Sequence, residues 1–95
     1  MKDIKKARKN IDKIDKKMAK LFEKRMKEVL SVADYKAENG LETEDSIREK
    51  EMIKNNSLYI KNRKILPYYT EFLKQNIIIS KKYQSDISAI ERKKQ

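Results

Sequence analysis

The chain has 95 residues, of which 25 are Lys or Arg and 15 are Asp or Glu, for a net charge of +10; it contains no Cys and no His. That length permits one domain, spanning 1–95, with a modest core. The missing residue types exclude a disulfide framework, a Cys/His zinc site, a cysteine nucleophile and any His-based triad.

The basic balance suits an anionic partner: nucleic acid, a membrane surface or a small anionic metabolite. Much of it is Lys in a chain also rich in Ile and Asn, which reads equally well as solvated helix faces. Neither terminus carries the apolar stretch of a targeting segment, and the longest apolar runs, such as Ile77-Ile78-Ile79, are too short for a bilayer. A soluble cytoplasmic protein is expected, with no extra segment for a regulatory or fused catalytic domain.

One Gly and one Pro leave too little turn punctuation for a β architecture, so long helices are favoured. The first runs from about Asp3 to Glu38, where Asn39-Gly40 stops it. Its apolar residues Ile4, Ala7, Ile11, Ile14, Met18, Leu21, Val29 and Val32 alternate at three and four, a coiled-coil-like stripe. The second begins near Asp45 and runs to about Ile60, with a weak apolar face of Ile47, Met52 and Ile53. Either Asp45 caps it, or Ser46 caps it with Glu49 closing a capping box. The third follows a polar linker from about Ser57 to Leu66. It starts at Pro67, whose fixed φ suits a first turn, and ends near Ile90, with Glu91 to Gln95 frayed.

The first helix has a consequence for assembly. Some 35 helical residues make a rod about 52 Å long, whereas a compact chain of this size is only about 30–35 Å across. One chain cannot cover the stripe along such a rod. An antiparallel pairing of two such rods, with the shorter helices packed across both, would bury it.

Charged and polar groups interrupt all three apolar patterns. Met18, Arg25 and Val32 are seven apart, which places Arg25 on the seam. Arg25 and Lys36 lie within about 20° of each other round the helix and about 16 Å apart along it, so both face the same way. Arg8 points about 100° away and would have to serve another chain's cluster. In the third helix Leu73, Ile77, Ser80, Gln84 and Ile87 share a face, so Ser80 and Gln84 stand where apolar residues are expected. Arg48 and Glu49 open the second helix beside Asp45. Each alone can be structural: a seam Arg can snorkel and a core Gln can satisfy a backbone group. Together they describe a cationic cavity, which is costly to desolvate unless an anion occupies it.

At these residues the chain resembles the all-helical chorismate mutases. The first block is Arg8-Lys9-Asn10-Ile11-Asp12-Lys13-Ile14-Asp15 followed by Leu21-Phe22-Glu23-Lys24-Arg25-Met26. The second is Val32-Ala33-Asp34-Tyr35-Lys36, the third Asp45-Ser46-Ile47-Arg48-Glu49, and the fourth Ser80-Lys81-Lys82-Tyr83-Gln84. The order is that of the family, and the spacing matches through the third block. Departures are a slightly shorter linker, a more polar third helix (Lys74, Asn76), and Ser46-Ile47 in place of a Pro-Glu pair after the cap.

The resemblance implies an all-α intertwined homodimer with three helices per chain. It also implies an isomerase that converts chorismate to prephenate for phenylalanine and tyrosine biosynthesis, without cofactor or metal. It implies that Lys36 and Gln84 are catalytic, both donating to the ether oxygen of the dianionic substrate. Arg25 would grip one carboxylate, and Arg8 would reach into the partner's site. Glu49 would accept from the substrate hydroxyl with the Asp45 backbone assisting, and Arg48 and Ser80 would complete the polar lining. Two other functions compete: an isochorismate pyruvate lyase on the same scaffold, which the Asp45–Glu49 pair disfavours, and a basic helical nucleic-acid-binding module. The second lacks helix-turn-helix spacing and puts its Arg residues on apolar seams. A scaffolding coiled coil is disfavoured by Ser80 and Gln84, which weaken a seam. Neither a nucleic-acid nor a membrane partner is expected.

Overall fold

A computed structural model describes the backbone of residues 3–94 and the side chains of residues 3–87. The described residues form three α-helices and no strand: α1 Ile4–Glu38, α2 Ser46–Ser57 and α3 Leu66–Lys94. None is long and apolar enough to cross a membrane.

The ends of α1 are fixed by local chemistry. The Asp3 carboxylate accepts from the backbone N–H groups of Lys5 and Lys6, at 2.9 and 3.3 Å, and so satisfies two donors that a helix start leaves unpaired. At the other end Gly40 has φ 63°, a left-handed conformation that favours glycine. With Gly40 there, the N–H of Leu41 reaches back to the Lys36 carbonyl at 2.8 Å and that of Gly40 to Ala37 at 3.4 Å, a Schellman closure. The chain is thereby turned at Gly40, one helical turn after Lys36, whose carbonyl closes the turn.

Asp45, not Ser46, caps α2: its carboxylate accepts from the N–H of Arg48 at 3.0 Å. The helix stops at Ser57, short of Ile60. Asn and Ser are poor helix formers, and the Ser57 hydroxyl bonds back to the Ile53 carbonyl. Beyond Ser57 the N–H groups of Leu58, Tyr59 and Ile60 bond three residues back, to Asn55, Asn56 and Ser57. Leu58 and Tyr59 are exposed, so no burial rewards another helical turn. α3 begins one residue before Pro67, keeps the proline in its first turn, and continues to Lys94 rather than fraying after Ile90. Gln95 lies outside the described residues.

α3 is the centre of the packing. It contacts both α1 and α2, whose backbones do not approach each other. Among the described residues the buried side chains are Val29 of α1 and Leu73, Ile77, Ser80 and Gln84 of α3. The single stripe of α3 noted in the sequence therefore forms nearly the whole interior. The chain measures 61 × 28 × 15 Å with a radius of gyration of 17.1 Å, against about 12 Å for a compact chain of this length. The cause is α1: every described residue from 3 to 24 is exposed. Ile4, Ile11, Ile14 and Leu21 are all more than half exposed, so this stretch of the stripe is covered by nothing in its own chain.

Candidate active site

Because α1 and α2 are joined only through α3 and the loop between them, a cleft of about 290 Å³ opens between them with α3 as its floor, near the lower end of the range for small-molecule sites. Each helix presents one face to it. α1 contributes Arg25, Glu28, Val29, Val32 and Lys36; α2, with its cap, contributes Asp45, Arg48, Glu49 and Met52; α3 contributes Ile77, Ser80, Lys81 and Gln84. In each case the spacing is i, i+3, i+4, i+7, the signature of a single helical face.

Arg25 is half-buried, and its guanidinium donates to the Ser80 hydroxyl across the α1–α3 contact. The hydroxyl in turn donates to the Asn76 carbonyl at 2.8 Å. Among the described residues no carboxylate lies within 4.0 Å of Arg25, Lys36 or Arg48. Desolvation lowers the pKa of Arg25 from its ordinary value, yet a guanidinium stays protonated at any working pH. The site thus holds a partly buried positive charge with only a hydroxyl for company.

The Lys36 ammonium, half-buried at the end of α1, donates to the Thr43 carbonyl at 2.7 Å in the loop that leads to α2. An ammonium has three donors, so two are left for a ligand. Arg48 and Asp45 are exposed at the rim. Since Asp45 alone caps α2, Glu49 is free of a capping box, and its carboxylate pairs with Lys81 at 3.0 Å. Gln84 is buried, and its carbonyl oxygen has no partner among the described residues. Among the described residues no hydrogen bond locks the amide, and a half-turn would offer either its oxygen or its N–H₂ to the cleft.

Seven of the residues singled out from sequence therefore meet at one cleft: Arg25, Lys36, Asp45, Arg48, Glu49, Ser80 and Gln84. Arg8 does not. It is exposed on α1, about 26 Å along the helix from Arg25. Glu28, Thr43 and Lys81 line the cleft without having been singled out. For Lys81 a signal existed: it lies four residues after Ile77 and three before Gln84, on the same face as both.

The sequence pattern of the chorismate mutase type II family matches residues 7–85. The chain belongs to this family. The match to the chorismate mutase pattern spans Arg8 and all seven cleft residues, and it covers the helices that carry them. Comparison with curated proteins and with solved structures gave no match.

Proposed function

We propose that the protein is a chorismate mutase, an isomerase that converts chorismate to prephenate in aromatic amino-acid biosynthesis, working in the cytoplasm as a single-domain chain in an intertwined homodimer. The observation that carries this reading is a set of cations, Arg25, Lys36 and Arg48, that have no ion-pair partner among the described residues and face one cleft beside buried Ser80 and Gln84. A dicarboxylate would supply the missing counter-charge, and arginine forks hold carboxylates in fixed geometry.

The reaction is an intramolecular rearrangement. It needs no nucleophile, metal or proton relay, so a chain without His or Cys can perform it. The cleft would hold a flexible substrate in its compact, reactive conformer, with Arg25 on one carboxylate and Arg48 and Ser80 completing the grip. As the carbon–oxygen bond breaks, negative charge grows on the ether oxygen. Lys36 and Gln84 would donate to that oxygen, and fixed donors of this kind supply the largest part of such rate enhancements. Glu49 would accept from the substrate hydroxyl at the start of α2.

The uncovered stripe on α1 supports the dimer. A second copy laid antiparallel along residues 3–24 would shelter Ile11, Ile14, Met18 and Leu21. The same pairing would carry Arg8 into the partner's cleft, where it would meet a second carboxylate.

Purified protein assayed separately with chorismate and isochorismate tests the reading. Prephenate formed from chorismate, with little pyruvate released from isochorismate, is expected. Pyruvate release without prephenate would assign the cleft to the lyase reaction, and turnover of neither would remove the enzyme reading.

A further inference from the structure

Lys81 has no place in the chemistry described so far, yet it lines the cleft. Its ammonium stands 3.0 Å from Oε1 of Glu49 and 3.5 Å from Oε1 of Glu44. Glu49 is the more sheltered carboxylate, its side chain 22% exposed against 67% for Glu44. The Lys81 side chain is itself 32% exposed, so both contacts are partly solvated, and the one to Glu49 is the less screened of the two. The contact thus ties α3 to the first turn of α2 across one end of the cleft.

The need for such a contact follows from charge. A cleft that takes a dianion gains from Arg25, Lys36 and Arg48 but loses from a bare carboxylate on its wall. Of the carboxylates that line the cleft, Glu28 is exposed and screened by water, and Asp45 has its cap to make, with the N–H of Arg48 on one of its oxygens. Glu49 has no such role in the backbone. Unpaired, it would repel the ligand and turn freely about its side-chain bonds. Paired through Oε1, it is neutralised and oriented, with Oε2 left to accept a hydrogen bond.

We propose that Lys81 is a positioning residue of this cleft, holding Glu49 so that its second oxygen meets the hydroxyl of the bound dicarboxylate. The proposal rests on the mutase reading above. Consistently with that geometry, the pKa of Lys81 is raised, first by its hydrogen bond to Glu49.

The test compares wild type, Lys81→Met, Lys81→Gln, Lys81→Arg, Glu49→Gln and the Lys81→Met/Glu49→Gln double variant of the full chain. Chorismate kinetics are measured alongside calorimetric affinity for prephenate, which needs no turnover. Lys81→Met and Lys81→Gln are expected to raise KM about tenfold with kcat changed by less than about threefold, the pattern of lost uniform binding. Lys81→Arg should restore most of the affinity. Because Lys81 acts through Glu49, Lys81→Met should weaken prephenate binding by less than about twofold once Glu49 is already Gln. An unchanged KM in Lys81→Met overturns the proposal, as does an equal loss of prephenate affinity in both backgrounds, which would mean that Lys81 attracts the anion directly. If wild type neither turns over chorismate nor binds prephenate, the mutase reading falls and takes the proposal with it. An active wild type with an indifferent Lys81 removes the proposal alone.

Discussion

The ammonium of Lys36 donates to the carbonyl of Thr43 at 2.7 Å, so the last turn of α1 holds the loop that delivers Asp45, Arg48 and Glu49 to the cleft. One of its three donors is spent on that anchor, and the cation is fixed in place before any ligand arrives. Preorganisation of this kind makes a charge useful in a transition state, because no reorganisation is needed as the charge develops.

Replacing Lys36 by Ala removes both functions but no buried apolar contact. The folded state should persist, with an unchanged far-ultraviolet circular dichroism spectrum, while kcat falls on the order of 100-fold or more, by comparison with other lost oxyanion donors. Steady-state chorismate kinetics beside the spectrum check this, and near-normal turnover would remove Lys36 from the chemistry.

Arg25 should separate stability from function further. Its guanidinium is partly desolvated with no carboxylate beside it among the described residues, so the charge costs stability in the unliganded protein. A guanidinium stays protonated at any working pH, so the cost is present throughout the range in which the protein works. Arg25→Met keeps the bulk without the charge. Its unliganded stability to urea should equal or exceed that of wild type, while prephenate affinity falls by about 2–5 kcal/mol, the usual loss for a buried charged grip. Paired urea melts and calorimetric titrations measure both sides.

Gly40 gives a purely conformational prediction. A Cβ added there meets nothing within 4 Å, so Gly40→Ala is not a steric problem; the cost comes from φ 63° alone. About 1–2 kcal/mol of stability should be lost in Gly40→Ala, and less in Gly40→Asn, since Asn tolerates the left-handed region. If the closure of α1 matters for placing Lys36, Gly40→Ala should also lower kcat. Urea melts and chorismate kinetics on both variants measure this.

Much of this architecture was legible in the sequence. The helix ends at Asp3, Gly40, Asp45 and Pro67 depend on local chemistry, and each is set within a few residues. Ser80 and Gln84 stood out because a stripe of Leu73, Ile77 and Ile87 has no packing use for them, and both are buried on that face. Other features depend on what approaches from elsewhere. The end of α2 at Ser57 reflects the absence of anything for Leu58 and Tyr59 to pack against, which periodicity does not reveal. The spacing of Lys81 from Ile77 and Gln84 puts it on the cleft face, but its pairing with Glu49 has no trace in the sequence. The Thr43 anchor is a backbone carbonyl and leaves no trace in residue type. Arg8 is the reverse case: the angle that separates it from Arg25 was readable, but its partners are not in its own chain.

The claim that two chains build each site can be tested by subunit mixing. Arg8→Ala and Arg25→Ala should each be nearly inactive as homodimers. When the two are unfolded together and refolded in equal amounts, half of the dimers should be mixed, and each mixed dimer should own one intact cleft that combines Arg25 of one chain with Arg8 of the other. About a quarter of wild-type chorismate turnover should then return. Activity in Arg8→Ala alone, or no recovery in a mixture shown to contain heterodimers, would contradict a site gripped by cations from two chains.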